Sequence, residues 1–298
     1  MSTPKENFEA TVNFQEPERP LFVIWNTAPF GTSLLGVKQK DFYFDAELKL
    51  KAQMTIQEKF PEALLVPGPW PDFGVAVEPS AFGCKIEWPD NEPPWARPAI
   101  ESITEVRYMR KPIPGKDGIT GLMLEQYRYM WDHLDKKYID EYGFLEGLGY
   151  ILGPLETAAL VVGYGQILFE LYDHPKEVHK LLQIITEFEI EWLHEQEKIN
   201  GKLKRLYVPE HFPTQVSPDH FEEFCFPYIS QIFNEFPYAI GLYHNEGNVS
   251  HIMERIPDMG AKIFHFGNNI DLRKQLGVNI TPSCFQHHFL FRIINLLD

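Results

Sequence analysis

Cysteine is scarce in this chain: Cys84, Cys225 and Cys284 are the three present in 298 residues, far apart and in no CxxC spacing. They support neither a disulfide framework nor a thiolate cage built from sequence neighbours. Long apolar runs are missing as well. None approaches the roughly 18 residues that a membrane-spanning helix needs, and residues 1–20 are polar and charged with no apolar leader segment. A cytoplasmic protein with no membrane partner is expected. Basic residues are outnumbered, 27 against 42 acidic ones, and form no cluster, so the net charge of −15 argues against nucleic acid as a partner. Neither GxGxxG after a strand nor GxxxxGK(S/T) occurs, which leaves dinucleotide and P-loop sites without support.

What is present suffices for a large core. Hydrophobic residues make up 44% and aromatic residues 14% of the chain, enough for one large α/β unit. A polar arm over residues 1–20 is expected to precede a single domain over residues 21–298. The run LFVIW at residues 21–25 reads as a buried strand and residues 63–66 as another, with a helix over 41–60 between them. Residues 67–98 are dense in Pro, Gly and Trp and predict a long excursion packed by aromatics rather than regular elements. From residue 144 onward strands and helices alternate without a hairpin signal. That pattern predicts parallel strands joined by helices, an α/β fold of the (β/α)8 TIM-barrel type.

Several boundaries carry their own chemistry. Val178, Leu181, Leu182, Ile185, Phe188 and Trp192 recur at helical spacing and predict a core-facing stripe. Ser217-Pro218 reads as a helix cap followed by proline in the first turn, and Pro227 is expected to kink the helix that buries Phe221, Phe224, Cys225, Tyr228, Ile229 and Ile232. Residues 289–297 are apolar and are expected to pack as a helix against the barrel or a partner.

Three successive strand exits carry polar residues: Glu210 with His211, His244 with Glu246, and His265. Side chains at i and i+2 of a strand share a face, so His244 and Glu246 point together. Such a pair is half of a metal site, or a pair that bonds to itself and caps the following helix. Barrel enzymes gather strand-exit residues at one mouth.

These features resemble the uroporphyrinogen decarboxylase superfamily, whose other branch is the cobamide-dependent methyltransferases. The resemblance rests on Gly153-Pro154 with the Ala/Gly-rich helix after it, on residues 173–178, on Ser217-Pro218 with Pro227, and on the stretch from His244 to Asn248. It implies a barrel with its site at the strand exits. In the methyltransferase branch the last of these stretches reads His-x-Cys-Gly-Asn, with His and Cys helping to hold zinc. Here it reads His244-Asn245-Glu246-Gly247-Asn248, so a carboxylate replaces the thiolate and harder ligation is implied. The decarboxylase branch implies an arginine-rich N-terminal segment and an aspartate, yet residues 24–32 contain no arginine, and Val208-Pro209-Glu210 stands after the strand where the aspartate is expected. After Thr281 the family pattern is lost, so the barrel is expected to be incomplete or atypical at its C-terminal end.

The resemblance therefore implies methyl transfer involving a small-molecule substrate and a corrinoid, methylcobamide carried by a partner protein or free. Zinc or another divalent transition metal would be held by His244, Glu246 and His265, with Glu210 and His211 handling protons. Two alternatives remain: porphyrinogen decarboxylation with Glu210 in place of the aspartate, and a non-catalytic barrel.

Overall fold

The computed structural model describes residues 2–267, 270 and 290–291. The chain opens with helix α1 (Pro4–Val12). Strand β1 (Val23–Trp25) leads to α2 (Ala28–Leu35), α3 (Gln39–Phe44) and α4 (Ala46–Lys59), and β2 (Leu64–Val66) follows. The next segment holds α5 (Val77–Ala81), β3 (Lys85–Glu87), β4 (Trp95–Arg97), α6 (Thr120–His133) and α7 (Lys136–Tyr142). Then come β5 (Leu148–Tyr150), α8 (Pro154–Val162), α9 (Tyr164–Asp173), α10 (Pro175–Asn200) and β6 (Arg205–Pro209). Helices α11 (Pro218–Phe224) and α12 (Phe226–Glu235) precede β7 (Ile240–Asn245), and β8 (Ile263–Phe266) and β9 (Leu290–Phe291) complete the order. No helix among the described residues is long and apolar enough to cross a membrane.

Local sequence accounts for many of these boundaries. All six stripe residues on α10, from Val178 to Trp192, are fully buried, as an apolar face at helical spacing requires. The Ser217 side chain accepts from the His220 N–H at 3.2 Å, and Pro218 fills the first turn of α11, where its missing N–H has no intrahelical partner to lose. Pro227 does not kink one helix. The chain breaks at Cys225 instead, and Pro227 lies in the first turn of a separate helix.

Other expectations are corrected. The polar arm contains a real helix, because Thr3 and Glu6 form a capping box and Phe8 and Val12 bury one side. Residues 67–98 contain regular elements: α5, and an antiparallel pair of β3 and β4 with Lys85 opposite Arg97. The aromatic packing expected there is present, with Trp88 against Tyr43, Phe44 and Phe73 at ring-centroid distances of 5.3, 4.8 and 6.2 Å. Leu290 and Phe291 are a strand rather than part of a helix, since they pair in parallel with Phe264 and His265. The rest of the apolar tail lies outside the described residues.

The parallel strands fall into two groups. β1 pairs with β2, and β5 to β9 pair in chain order. Among the described residues no strand links β2 to β5, and side chains close that opening. Gln196 on α10 accepts from the Tyr150 N–H at 3.0 Å and donates to the Tyr150 carbonyl at 2.9 Å. Gln53 on α4 treats Trp70 in the same way, at 3.0 and 2.9 Å. The rings of Trp70 and Tyr150 then stack at 3.9 Å across the opening. Each primary amide thus supplies the donor and acceptor that a neighbouring strand would offer.

Candidate functional site

Register places the site. Pro209, His244 and His265 are direct partners across β6, β7 and β8, so the ends of three parallel strands lie side by side. His211 follows one residue beyond Glu210, and its Nε2 lies 3.2 Å from His244 Nε2. Glu246 follows the end of β7, with Oε1 at 3.9 Å from the same His244 nitrogen. Ligand atoms of His211, His244 and Glu246 all lie within 4.8 Å of one another. His265 approaches the opposite side of the His244 ring, Nδ1 to Nδ1 at 2.5 Å.

Trp25, at the end of β1, covers this group. Its ring stacks on His244 at 4.6 Å with an interplanar angle of 11°, and lies against His265 at 4.9 Å, tilted by 40°. The exits of the two parallel strand groups therefore face one mouth. Burial sets the charge of the imidazoles. His211 is held below the ordinary imidazole range by desolvation, His244 well below it by desolvation and by its two imidazole neighbours, and His265 is pushed down to about 4 mainly by desolvation. Neutral rings near pH 7 keep one lone pair each, the state in which imidazole binds metal. The donor set of two neutral nitrogens and a carboxylate fits a divalent transition metal.

The backbone around the group is fixed by buried polar side chains. Glu156, in the first turn of α8, accepts the N–H groups of His211 and Phe212 at 2.8 and 2.7 Å. Its other oxygen accepts from the Tyr164 hydroxyl, and burial pushes the carboxyl up to about 7. Asn245 donates to the Glu210 carbonyl at 2.6 Å and accepts from the Gly247 N–H at 2.9 Å, which ties the exits of β6 and β7 together. Gly267 passes against the Glu246 carbonyl, where a Cβ would collide with backbone.

Glu210 and His211 are adjacent in sequence, but the structure separates them. Glu210 is fully buried in the layer between strands and helices. Its Oε1 accepts from the Leu155 N–H of α8 at 2.9 Å, and its Oε2 accepts from the Cys225 thiol at 3.1 Å. A Cβ at Gly153 would fall inside the Glu210 carboxyl group, so the glycine of the Gly153-Pro154 pair is required by this approach. Burial raises the Glu210 carboxyl to about 7. Glu210 thus caps α8, whereas His211 joins His244 and Glu246. Trp25, Glu156 and Asn245 join the site although none is among the residues that the sequence singles out for it. Glu156 carried a local signal, a carboxylate in the first turn after Gly153-Pro154; Trp25 carried none.

Parallel strands, alternating helices and imidazoles with a carboxylate at one set of strand exits define an α/β protein of the TIM-barrel type. This chain belongs to the uroporphyrinogen decarboxylase (URO-D) family, whose profile matches residues 3–286. It is similar to the uroporphyrinogen decarboxylase of Dictyostelium discoideum, 24% identical over 167 residues that cover 54% of this chain and 43% of that protein. It is also similar to a methylated-thiol–coenzyme M methyltransferase of Methanosarcina mazei, 23% identical over 198 residues, covering 66% of this chain and 51% of that protein. The chain spans about half of the length of these curated relatives or less. A solved structure of a methyltransferase from Methanosarcina mazei matches with a TM-score of 0.74 at 15% identity, over 89% of this chain and 76% of that one. At that identity the match speaks for the fold.

Proposed function

We propose that this chain is a methyltransferase of the uroporphyrinogen decarboxylase family, moving a methyl group between a small substrate and a corrinoid that is free or carried by a partner protein. The observation that supports this reading is the convergence of His244 Nε2, a second imidazole and the Glu246 carboxylate beneath Trp25. A bound divalent cation would draw electron density from a heteroatom that loses the methyl group and so make it a better leaving group; on a heteroatom that gains the methyl group it would instead favour loss of the proton, leaving the nucleophilic form. His244 and Glu246 would hold it. Glu246 occupies the position of a thiolate in related methyltransferases, and an oxygen ligand favours borderline and harder ions and substrates with oxygen or nitrogen at the reacting atom. Trp25 stacks on His244 and packs against His265, and both imidazoles are buried.

The competing reading is decarboxylation of a porphyrinogen, the activity named in the Dictyostelium relative. Two features disfavour it. Residues 24–32 contain no arginine to meet a polycarboxylate, and Glu210, the proposed stand-in for the aspartate, is buried as a helix cap.

Anaerobic assays separate the two. Metal-loaded protein is expected to methylate cob(I)alamin from at least one donor in a panel of methyl ethers, methylamines and thioethers, read as the absorbance of methylcobalamin, and to lose this activity in His244→Ala. It is expected to release no coproporphyrinogen from uroporphyrinogen. Turnover of uroporphyrinogen at an enzymatic rate would overturn the proposal.

A further inference from the structure

His244 has an imidazole neighbour on each of its ring nitrogens, and the two are not equivalent. We infer that His211 is the second imidazole ligand of the cation, and that His265 is a positioning residue that fixes the tautomer of His244. The inference rests on the cation-binding reading above.

Distance decides between the neighbours. Zinc–nitrogen bonds are about 2.0–2.1 Å long, so two nitrogens on one tetrahedral ion lie roughly 3.3 Å apart. The Nε2 atoms of His211 and His244 are 3.2 Å apart, close to that separation. The Nδ1 atoms of His244 and His265 are closer together than two ligands of one such ion, and a shared proton suits that contact. The carboxylate lies on the His211 side as well, because Glu246 Oε1 approaches His244 Nε2 and not Nδ1.

The proton between the Nδ1 atoms has a consequence for the other nitrogen. A neutral imidazole carries one N–H. If His244 Nδ1 donates to His265 Nδ1, the lone pair of His244 lies on Nε2, facing His211 and Glu246. A hydrogen bond to the distal nitrogen is the usual means of setting the tautomer of a metal-binding histidine. Trp25, stacked on His244 and tilted against His265, packs on both rings of the pair. His211 is held from its backbone: Glu156 accepts its N–H at 2.8 Å, and the Thr214 hydroxyl donates to its carbonyl at 2.9 Å.

The test uses the full chain, stripped with chelator and titrated with Co(II), and reads the visible ligand-field absorption and bound metal by elemental analysis. Wild type is expected to bind one ion. His211→Ala should weaken binding by more than about 100-fold, as loss of a direct ligand does. His265→Ala should weaken it by about 10- to 100-fold, the range for a partner of a ligand. His265→Asn, whose Oδ1 replaces the Nδ1 acceptor, should restore most of the affinity with the absorption band at its wild-type position. If His211→Ala fails to fold by circular dichroism, His211→Asn, closer in size, decides in its place. Wild-type affinity in the His211 variant, or equal loss in His211→Ala and His265→Ala, overturns the division of roles while leaving the cation reading intact. A wild type that binds no Co(II), zinc or iron overturns that reading and this inference together.

Discussion

His244 meets His211, His265, Glu246 and Trp25 at the mouth, and its substitution is the most informative. His244→Ala should abolish retention of a divalent cation, because the carboxylate of Glu246 and one further imidazole seldom hold an ion alone. Glu246→Cys should keep binding and shift preference toward zinc by supplying a thiolate. Both are read by elemental analysis after purification without chelator; a His244→Ala protein that binds as tightly as wild type would leave the histidines as a hydrogen-bonding network. Cys225→Ser serves as the control. That thiol is fully buried against Glu210, away from the imidazoles, and metal content should not change.

At the scale of elements, the opening between β2 and β5 is the least expected feature. An unpaired strand edge inside the fold would leave backbone groups unsatisfied at a cost of about 1–3 kcal/mol each. Gln196 and Gln53 remove that cost from the helices outside. Gln196→Ala strips two hydrogen bonds from Tyr150 and should destabilise the protein by about 2 kcal/mol, read from urea unfolding midpoints. A loss below roughly 0.5 kcal/mol would mean that water replaces the amide, as it does for exposed backbone. The break between α11 and α12 follows the same economy of hydrogen bonds: Cys225 ends one helix, its thiol donates to Glu210, and Glu210 caps α8.

For the molecule as a whole, buried carboxyl groups link stability to pH. Glu78 is almost fully buried, accepts from the Leu152 N–H at 3.3 Å, and is raised to about 7 by desolvation from the ordinary 4.5. A folded-state value above the unfolded one means that the native state holds the proton longer. The contribution is fully present below about 4.5 and is lost as pH rises to about 7, amounting to up to about 3 kcal/mol for such a shift. Glu78→Gln should therefore flatten the pH dependence of stability across that window relative to wild type, measured by urea unfolding at pH 5 and pH 8. Parallel pH profiles for the two proteins would show that Glu78 is ionised in the fold and that water reaches it.

Much of this architecture was legible in the sequence, because its signals are properties of near neighbours. The buried stripe of α10, the Ser217 cap, and the alternation of strands and helices follow from periodicity and from residues a few positions apart. So did the presence of polar residues at successive strand exits. The capping box at Thr3 and Glu6 was equally local, and the polar composition around it masked the helix. What only the tertiary structure decided is which of those exit residues meet. His211 and His244 stand 33 positions apart and His244 and His265 stand 21 apart. Their distances depend on strand register and on which side of each strand end the side chain leaves. One residue of difference sends Glu210 into the helix layer and His211 into the mouth, and no neighbour-range signal places Trp25 over His244, because that contact exists only when the two groups of strands face each other.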